Sequence, residues 1–301
     1  SKCYLGIVDN RVTDLVPTDT PKIRRQNEEL TKVDYELKKD INIIIPVENS
    51  VGELKRTIQG IIDLDSEKIK IIISADNQIN DLENYLGDLI DQVPIQIINS
   101  DFDYGFTHLI NNAIECTDEN ADVLLLSKNA ILTEGSLEAL QKYSYELSDC
   151  GLAVSQQVLE NGSIIKRHVP YAHEDYWCDI TPSKYHKNIK KVPLFHNGKV
   201  LELNMAPFFC TYIKRDVLNK SCGFNLQLGK HYHSIRLFSE FIRNILDLKI
   251  YHISDAVVIN NISEEARNSQ PTNDDYNYTI NENNWDNCSN DLDYTKYIWD
   301  F

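Results

Sequence analysis

The run ADVLLLSKNAIL, residues 121–132, is apolar until it breaks at Ser127-Lys128-Asn129, and then it turns apolar again. Polar residues at the end of such a run are well placed to meet a ligand. These three offer a hydroxyl, an ammonium and an amide, and no carboxylate to hold a metal ion. A literal Asp-x-Asp stands instead at Asp101 and Asp103, and carboxylates are the hard oxygen ligands that a hard divalent cation takes. Further on, His231 and His233 shortly precede Glu240. An imidazole titrating near neutrality can serve as a general base. Pro46-Val47-Glu48-Asn49 and Asp76-Asn77 end two other apolar runs.

The elements that must position these residues alternate regularly. INIIIPV, residues 41–47, is a continuous apolar run, the pattern of a parallel strand covered on both faces. Residues 50–64 follow with apolar residues at helical spacing and Ser50 at the N-cap. The same alternation predicts strands at 68–74, 94–99 and 121–127 and helices at 79–90, 105–116 and 134–147. Four such units predict a doubly wound α/β sheet, parallel, with right-handed crossovers. Ligands in such sheets sit beyond the C-terminal ends of the strands, where the polar residues above fall.

After residue 150 the regularity loosens. Residues 151–169 read as a strand, an Asn-Gly turn and a returning strand. Residues 199–215 read as two strands, 234–248 as a helix and 249–259 as a final strand pair. Between them, residues 170–198 are irregular and rich in Tyr, His and Pro, with Trp177 and the loop carboxylates Glu174 and Asp175. Aromatic faces there can stack on a ligand or simply pin the loop.

Composition narrows the classes. Hydrophobic and charged fractions of 42% and 25% over 301 residues are those of a soluble globular chain. The apolar runs are far too short to span a bilayer, and SKCYLGIVDNRV at the start lacks the pattern of a signal peptide. Seven Cys, widely spread and without a C-x-x-C pair, point to reduced thiols in a cytoplasmic setting and away from a zinc site. A net charge of −16 argues against nucleic acid or an anionic membrane as the main partner. It also serves solubility.

Five segments together resemble the large, mostly inverting family of nucleotide-sugar glycosyltransferases with a GT-A fold, family 2, which includes rhamnosyltransferase-like enzymes. INIIIPVENSVGELKRTIQGI is similar to that family's opening strand, Pro-x-x-Asn turn and first helix. IKIIISADNQIND is similar to its second strand with a terminal Asp, and INSDFDYGFTHLINNAI places Gly105, Phe106 and Asn111 at the family spacing. ADVLLLSKNAILTEGSLEAL stands where the family has an apolar strand, a short acidic motif and a helix. FFCTYIKRDVLNKSCGFN resembles its later strand, Arg-bearing helix start and Gly-Phe turn.

The resemblance implies a donor site made of Pro46, Val47, Glu48, Asn49, Asp76, Asn77, Asp103, Gly105, Asn111, Ser127, Lys128 and Asn129. Asp76 would accept from a ring N–H or a ribose hydroxyl; alternatively it caps the next helix. The family's metal-binding Asp-x-Asp falls on Ser127 to Asn129, and its later metal-binding His falls near Asn260, so the usual divalent metal site is expected to be absent. Three explanations then stand side by side. Lys128 supplies the charge directly to the phosphates, the chain is no longer a catalyst, or the metal ligands come from elsewhere, with Asp101 and Asp103 as the obvious pair. For the base of an inverting transfer the resemblance points to the stretch holding His233 and Glu240, which lacks the family's Glu-Asp pair. Either residue can equally be ordinary surface.

This reading predicts an N-terminal extension (1–40), a GT-A domain (41–262) and an acidic tail (263–301) with nine carboxylates against two basic residues. Within the domain, 41–148 would be a Rossmann-like nucleotide-binding half and 149–262 a mixed acceptor half. The implied partners are a nucleotide sugar and a glycan or polypeptide hydroxyl, transferred as a hexosyl group. A non-catalytic module of the same fold, binding a nucleotide, a glycan or a protein, is the alternative.

Overall fold

The computed structural model describes residues 33–48, 50–101, 105–158, 200–203, 206, 209–221, 223–224 and 233–261. Its first strand, β1 (Ile41–Val47), is buried along its whole length. Ile41, Ile43, Ile45 and Val47 enter one core, whereas Ile44 enters a second core on the opposite face. That two-sided burial is why the run is apolar without alternation. Each fully buried Ile contributes about 1.5–3 kcal/mol, so β1 is the spine of the domain.

Around β1 lie α1 (Leu54–Ile62), β2 (Ile69–Ala75), α2 (Leu82–Leu86) with a following 3-10 turn (Gly87–Asp91), β3 (Ile95–Asn99), α3 (Phe106–Glu115) and β4 (Asp122–Leu126). β1 pairs in parallel with β2 and β4, and β2 with β3. The chain continues through β5 (Ala130–Leu132), α4 (Ser136–Glu146), β6 (Cys150–Val158), β7 (Val200–Leu203), β8 (Cys210–Ile213), α5 (Arg215–Ser221), α6 (His233–Asn244) and β9 (Lys249–Asn260). The nine described strands form one sheet, ordered β3-β2-β1-β4-β8-β6-β9-β5, with β7 also on β9. β8 is antiparallel to β4 and β6, while β6 runs parallel to β9. A parallel half therefore passes into a mixed half.

Three expectations are corrected. The first helix begins at Leu54, not near Ser50; Glu53 holds the N-cap position, and no side chain caps the helix. The expected strand pair at 249–259 is a single twelve-residue strand, β9. The predicted helix over 79–90 is divided into α2 and the 3-10 turn, with Gly87 at positive φ between them. The Asn-Gly turn of the predicted hairpin lies outside the described residues.

β5 explains the sheet's curl. It follows β4 after only three residues, yet it pairs with the far end of β9, Ala130 opposite Asn260. There it lies under α1: a Cβ on Gly60 would meet Ile131 Cγ2 at 2.8 Å. The Ser127–Asn129 turn thus carries the chain across the C-terminal edge of the sheet.

Two polar clusters, the first buried and the second at the surface, hold the opposite edge. The Asp122 carboxylate accepts from Tyr212 Oη (2.6 Å), Tyr145 Oη (2.8 Å) and the Arg215 backbone N–H (2.8 Å). Gln141 Nε2 donates to Tyr212 Oη and to the Lys39 carbonyl, tying in the approach to β1. Asn42 and Asp118 exchange hydrogen bonds at the start of β1.

Candidate functional site

β1 and β4 flank the point where the winding of the sheet reverses, the crevice where open α/β sheets take their ligands. Their pairing ends at Ile44 opposite Leu125, so the strands part above that level. Odd-numbered residues of β1 bond towards β2, as Ile41 N to Lys68 O shows, and even-numbered ones face β4, as Asp122 N to Asp40 O shows. Pro46 therefore lacks its N–H on the side that has already opened. A proline sits in this central strand at no cost in ladder bonds.

At the lip of the crevice the β2 end is tied to the β1 end, with Asp76 N donating to Val47 O at 3.1 Å. Asp76 is 2% exposed, and its Oδ1 accepts from Gln78 N at 2.9 Å, an Asx-type turn that fixes the carboxylate. Both expected roles of this residue involve accepting; the turn supplies one acceptance, and α2 begins only at Leu82. Asn77 is exposed beside it.

Across the crevice stands the Ser127–Asn129 turn. The Lys128 ammonium donates to the carbonyl oxygens of Glu48 (2.6 Å) and Ser50 (2.5 Å). The Lys128 carbonyl accepts from Thr57 Oγ1 at 2.7 Å. Burial pulls the Lys128 ammonium below the ordinary lysine range, and the negative charges of Glu48 and Asp76 hold it back. Asn129 Oδ1 accepts a long bond from Glu53 N (3.4 Å), Glu53 Oε2 accepts from Asn261 Nδ2 (3.1 Å), and Asn261 N donates to the Asn129 carbonyl (2.8 Å). These three bonds close a ring between the turn, the start of α1 and the end of β9. Gly52, at φ +50°, lets the loop pass within 2.9 Å of Asn129 Oδ1, measured to a would-be Cβ.

Pro46, Val47, Glu48, Asp76, Asn77, Ser127, Lys128 and Asn129 thus gather at one end of the sheet. Gly105 opens α3 at φ +83°. Asn111 is engaged elsewhere: its amide donates to Phe224 O (2.7 Å) and accepts from Phe224 N (2.9 Å), clamping α3 to the turn after α5. Asn49 and Asp103 lie outside the described residues, as do His231, Glu174, Asp175 and Trp177. His233 and Glu240 both belong to α6, seven residues apart, a rise of about 10 Å along the axis. Glu240 is half-buried.

Sequence reasoning passed over Gly52, Glu53, Thr57 and Asn261. Thr57 carried a signal, being a polar residue on the stripe that Leu54, Ile58 and Ile61 bury. The others had none, because their partners lie some 75 to 210 positions away along the chain.

The divalent cation that the sequence resemblance implies does not fit this turn. Such an ion wants several oxygen ligands, carboxylates above all, and the turn presents a fixed ammonium and an amide already engaged with α1. Among the described residues no three His, Cys, Asp or Glu side chains are placed to hold a metal ion. An open groove of about 550 Å³ lies elsewhere, on the outer flank of α1, lined by Lys55, Arg56, Gln59 and Leu86 to Leu89. None of its residues belongs to the crevice. Among the described residues no helix is long and apolar enough to cross a membrane.

No protein-family profile and no curated protein matches the chain. Solved structures do. GalNAc-T7 with UDP, GalNAc and Mn2+ superposes with a TM-score of 0.61 at 13% identity, over 80% of this chain and 48% of that one. This chain thus spans about half the length of that enzyme. Residues 1–349 of S. aureus TarS with UDP-GlcNAc give 0.58 at 11% identity, over 86% and 69%. The mannosyltransferase PcManGT from Pyrobaculum calidifontis, with GDP-Man and Mn2+, gives 0.52 at 10% identity, over 87% and 69%. With its curled α/β sheet, the chain has the GT-A fold of these glycosyltransferases.

Proposed function

We propose that this chain transfers a sugar from a nucleotide-sugar donor to a hydroxyl acceptor, with inversion, and that it binds the donor without a divalent metal at the β4–β5 turn. The observation that carries the reading is the convergence of Glu48, Asp76 and Ser127–Asn129 at the β1–β4 crevice of a GT-A fold. Asp76, held by Gln78 N, accepts from the base or ribose of the nucleotide. The Lys128 ammonium offsets part of the negative charge of Glu48 and Asp76 at the crevice, which lowers the electrostatic cost of an anionic ligand there. His233 or Glu240, on α6, takes the proton from the acceptor hydroxyl. On this reading residues 41–148 form the donor half and 149–262 the acceptor half.

The mutant pair His233→Ala and Glu240→Gln tests the catalytic part. Whichever residue is the base, its removal lowers kcat about 100-fold or more while leaving donor affinity in place. Two variants of wild-type kcat would remove both residues from the mechanism.

One observation favours a second reading, a non-catalytic module that binds a nucleotide or glycan. The side chains where the family resemblance places metal ligands are engaged in bonds within the protein, Lys128 to the β1–α1 loop and Asn129 to Glu53. Donor hydrolysis or transfer by the purified chain distinguishes the two.

A further inference from the structure

We propose that Lys128 is a positioning residue rather than the phosphate cation: its ammonium and the Asn129–Glu53–Asn261 ring form an internal clasp that holds the β1–α1 loop in its donor-binding shape, at the turn where the resemblance places metal ligands. Its donor role rests on the function proposed above, but the clasp itself does not.

The geometry points one way. An ammonium has three N–H groups, and two of those on Lys128 end on carbonyls of the same loop, two residues apart. The loop turns sharply there, with Ser50 N also donating to Glu48 O and Gly52 at positive φ. Backbone that follows this path has few ladder bonds of its own, so a side chain from across the crevice supplies the hold. Thr57 Oγ1 fixes the clasp from below by bonding the Lys128 carbonyl. The ring through Glu53 and Asn261 fixes it from the side and joins the loop to the end of β9. Lys128 extends its stem over Gly52, a would-be Cβ there lying 3.4 Å from its Cε. Every polar atom named here is engaged within the protein, which is the behaviour of a brace. A phosphate has only the third N–H to bond unless it displaces one of the two carbonyls.

The groups facing the ammonium are the Glu48 and Asp76 carboxylates, just past the ends of β1 and β2, and the two carbonyls of the loop. These groups favour the charged lysine, against the burial that pulls its ammonium below the ordinary lysine range.

The test is hydrogen exchange on the full chain, without ligand, for wild type, Lys128→Met and Lys128→Arg, followed by titration of each with UDP, GDP and dTDP. In Lys128→Met, the amides of residues 50–54 exchange about tenfold faster or more, while those of 41–45 are unchanged. Lys128→Arg, which can reach the same carbonyls, restores part of the protection. Nucleotide affinity falls with the loop in Lys128→Met and recovers in Lys128→Arg. Unchanged exchange at 50–54 in Lys128→Met overturns the clasp. A loosened loop with unchanged nucleotide affinity overturns its positioning role. A wild type that binds none of the three nucleotides, with the loop still loosened by Lys128→Met, keeps the clasp and removes the donor reading. Should Lys128→Met not fold, amine acylation of the wild type decides: Lys128 reacts about tenfold slower or less than the exposed Lys39 and Lys55. Equal reactivity overturns the proposal.

Discussion

Lys128 reaches back across the β1–β4 crevice and donates to the carbonyl oxygen of Glu48 at 2.6 Å. The two residues are eighty positions apart, and both lie beyond the level at which β1 and β4 cease to pair. The contact makes the floor of the candidate donor site a closed structure.

Gly52 gives a steric test of that closure. Gly52→Ala imposes positive φ on an L-residue and brings its Cβ to 2.9 Å from Asn129 Oδ1. Gly87 shares the positive φ, at +58°, but a Cβ there meets nothing within 4 Å. Urea unfolding should show Gly87→Ala costing about 1 kcal/mol and Gly52→Ala about 1–2 kcal/mol more. Equal losses would mean that the loop and the turn do not touch as described.

Asp76 tests the ligand side. Asp76→Ala removes a fixed carboxylate acceptor from the crevice lip, and nucleotide affinity should drop by about 10- to 100-fold. Loss of the Gln78 N partner alone costs stability without touching affinity, so unaltered binding would leave Asp76 as a turn residue only.

The Asp122 hub lies at the other end of the sheet and bears on stability alone. Asp122→Asn replaces an acceptor of three donors with a side chain that must itself donate. Chemical denaturation should register a loss of about 2–4 kcal/mol, with Tyr212→Phe losing about 1 kcal/mol. A neutral Asp122→Asn would contradict the network.

Buried thiols set an alkaline limit. Burial pushes Cys150 up to about 11 and Cys210 up to about 12, against 9.0 for an ordinary cysteine. Below pH 9 both folded and unfolded chains keep these protons, so stability is unaffected there. As pH rises from about 9 towards 11 the unfolded chain releases its thiol protons first, and that part of the stability is lost. Urea midpoints should therefore fall over this range, less steeply in Cys150→Ala. A flat profile in the wild type would refute the burial of both thiols.

The parallel half was readable because β1, β2 and β4 are buried on two faces and its longer helices on one, so these elements left a periodic trace. Ile41 to Val47 in two cores is the clearest instance. β5 left no such trace, since three residues carry no period, and its pairing with Asn260 is set by the curl of the whole sheet. Ser50 had the chemistry of a cap, but its backbone turns to serve Lys128, and α1 starts four residues later. The candidate site was legible as a set of strand ends that meet at one end of the sheet, and illegible in its directions. Which way Lys128 points depends on where the Glu48 and Ser50 carbonyls lie, and Asn111 closes on Phe224 across 113 positions. Contacts of that separation leave no local pattern.

The most direct test of the account is calorimetric titration of the purified chain with UDP, GDP and dTDP, each with Mn2+ and with EDTA. The account predicts that one nucleotide binds and that its affinity is the same in both buffers. Binding that appears only with Mn2+, or none at all, would contradict it.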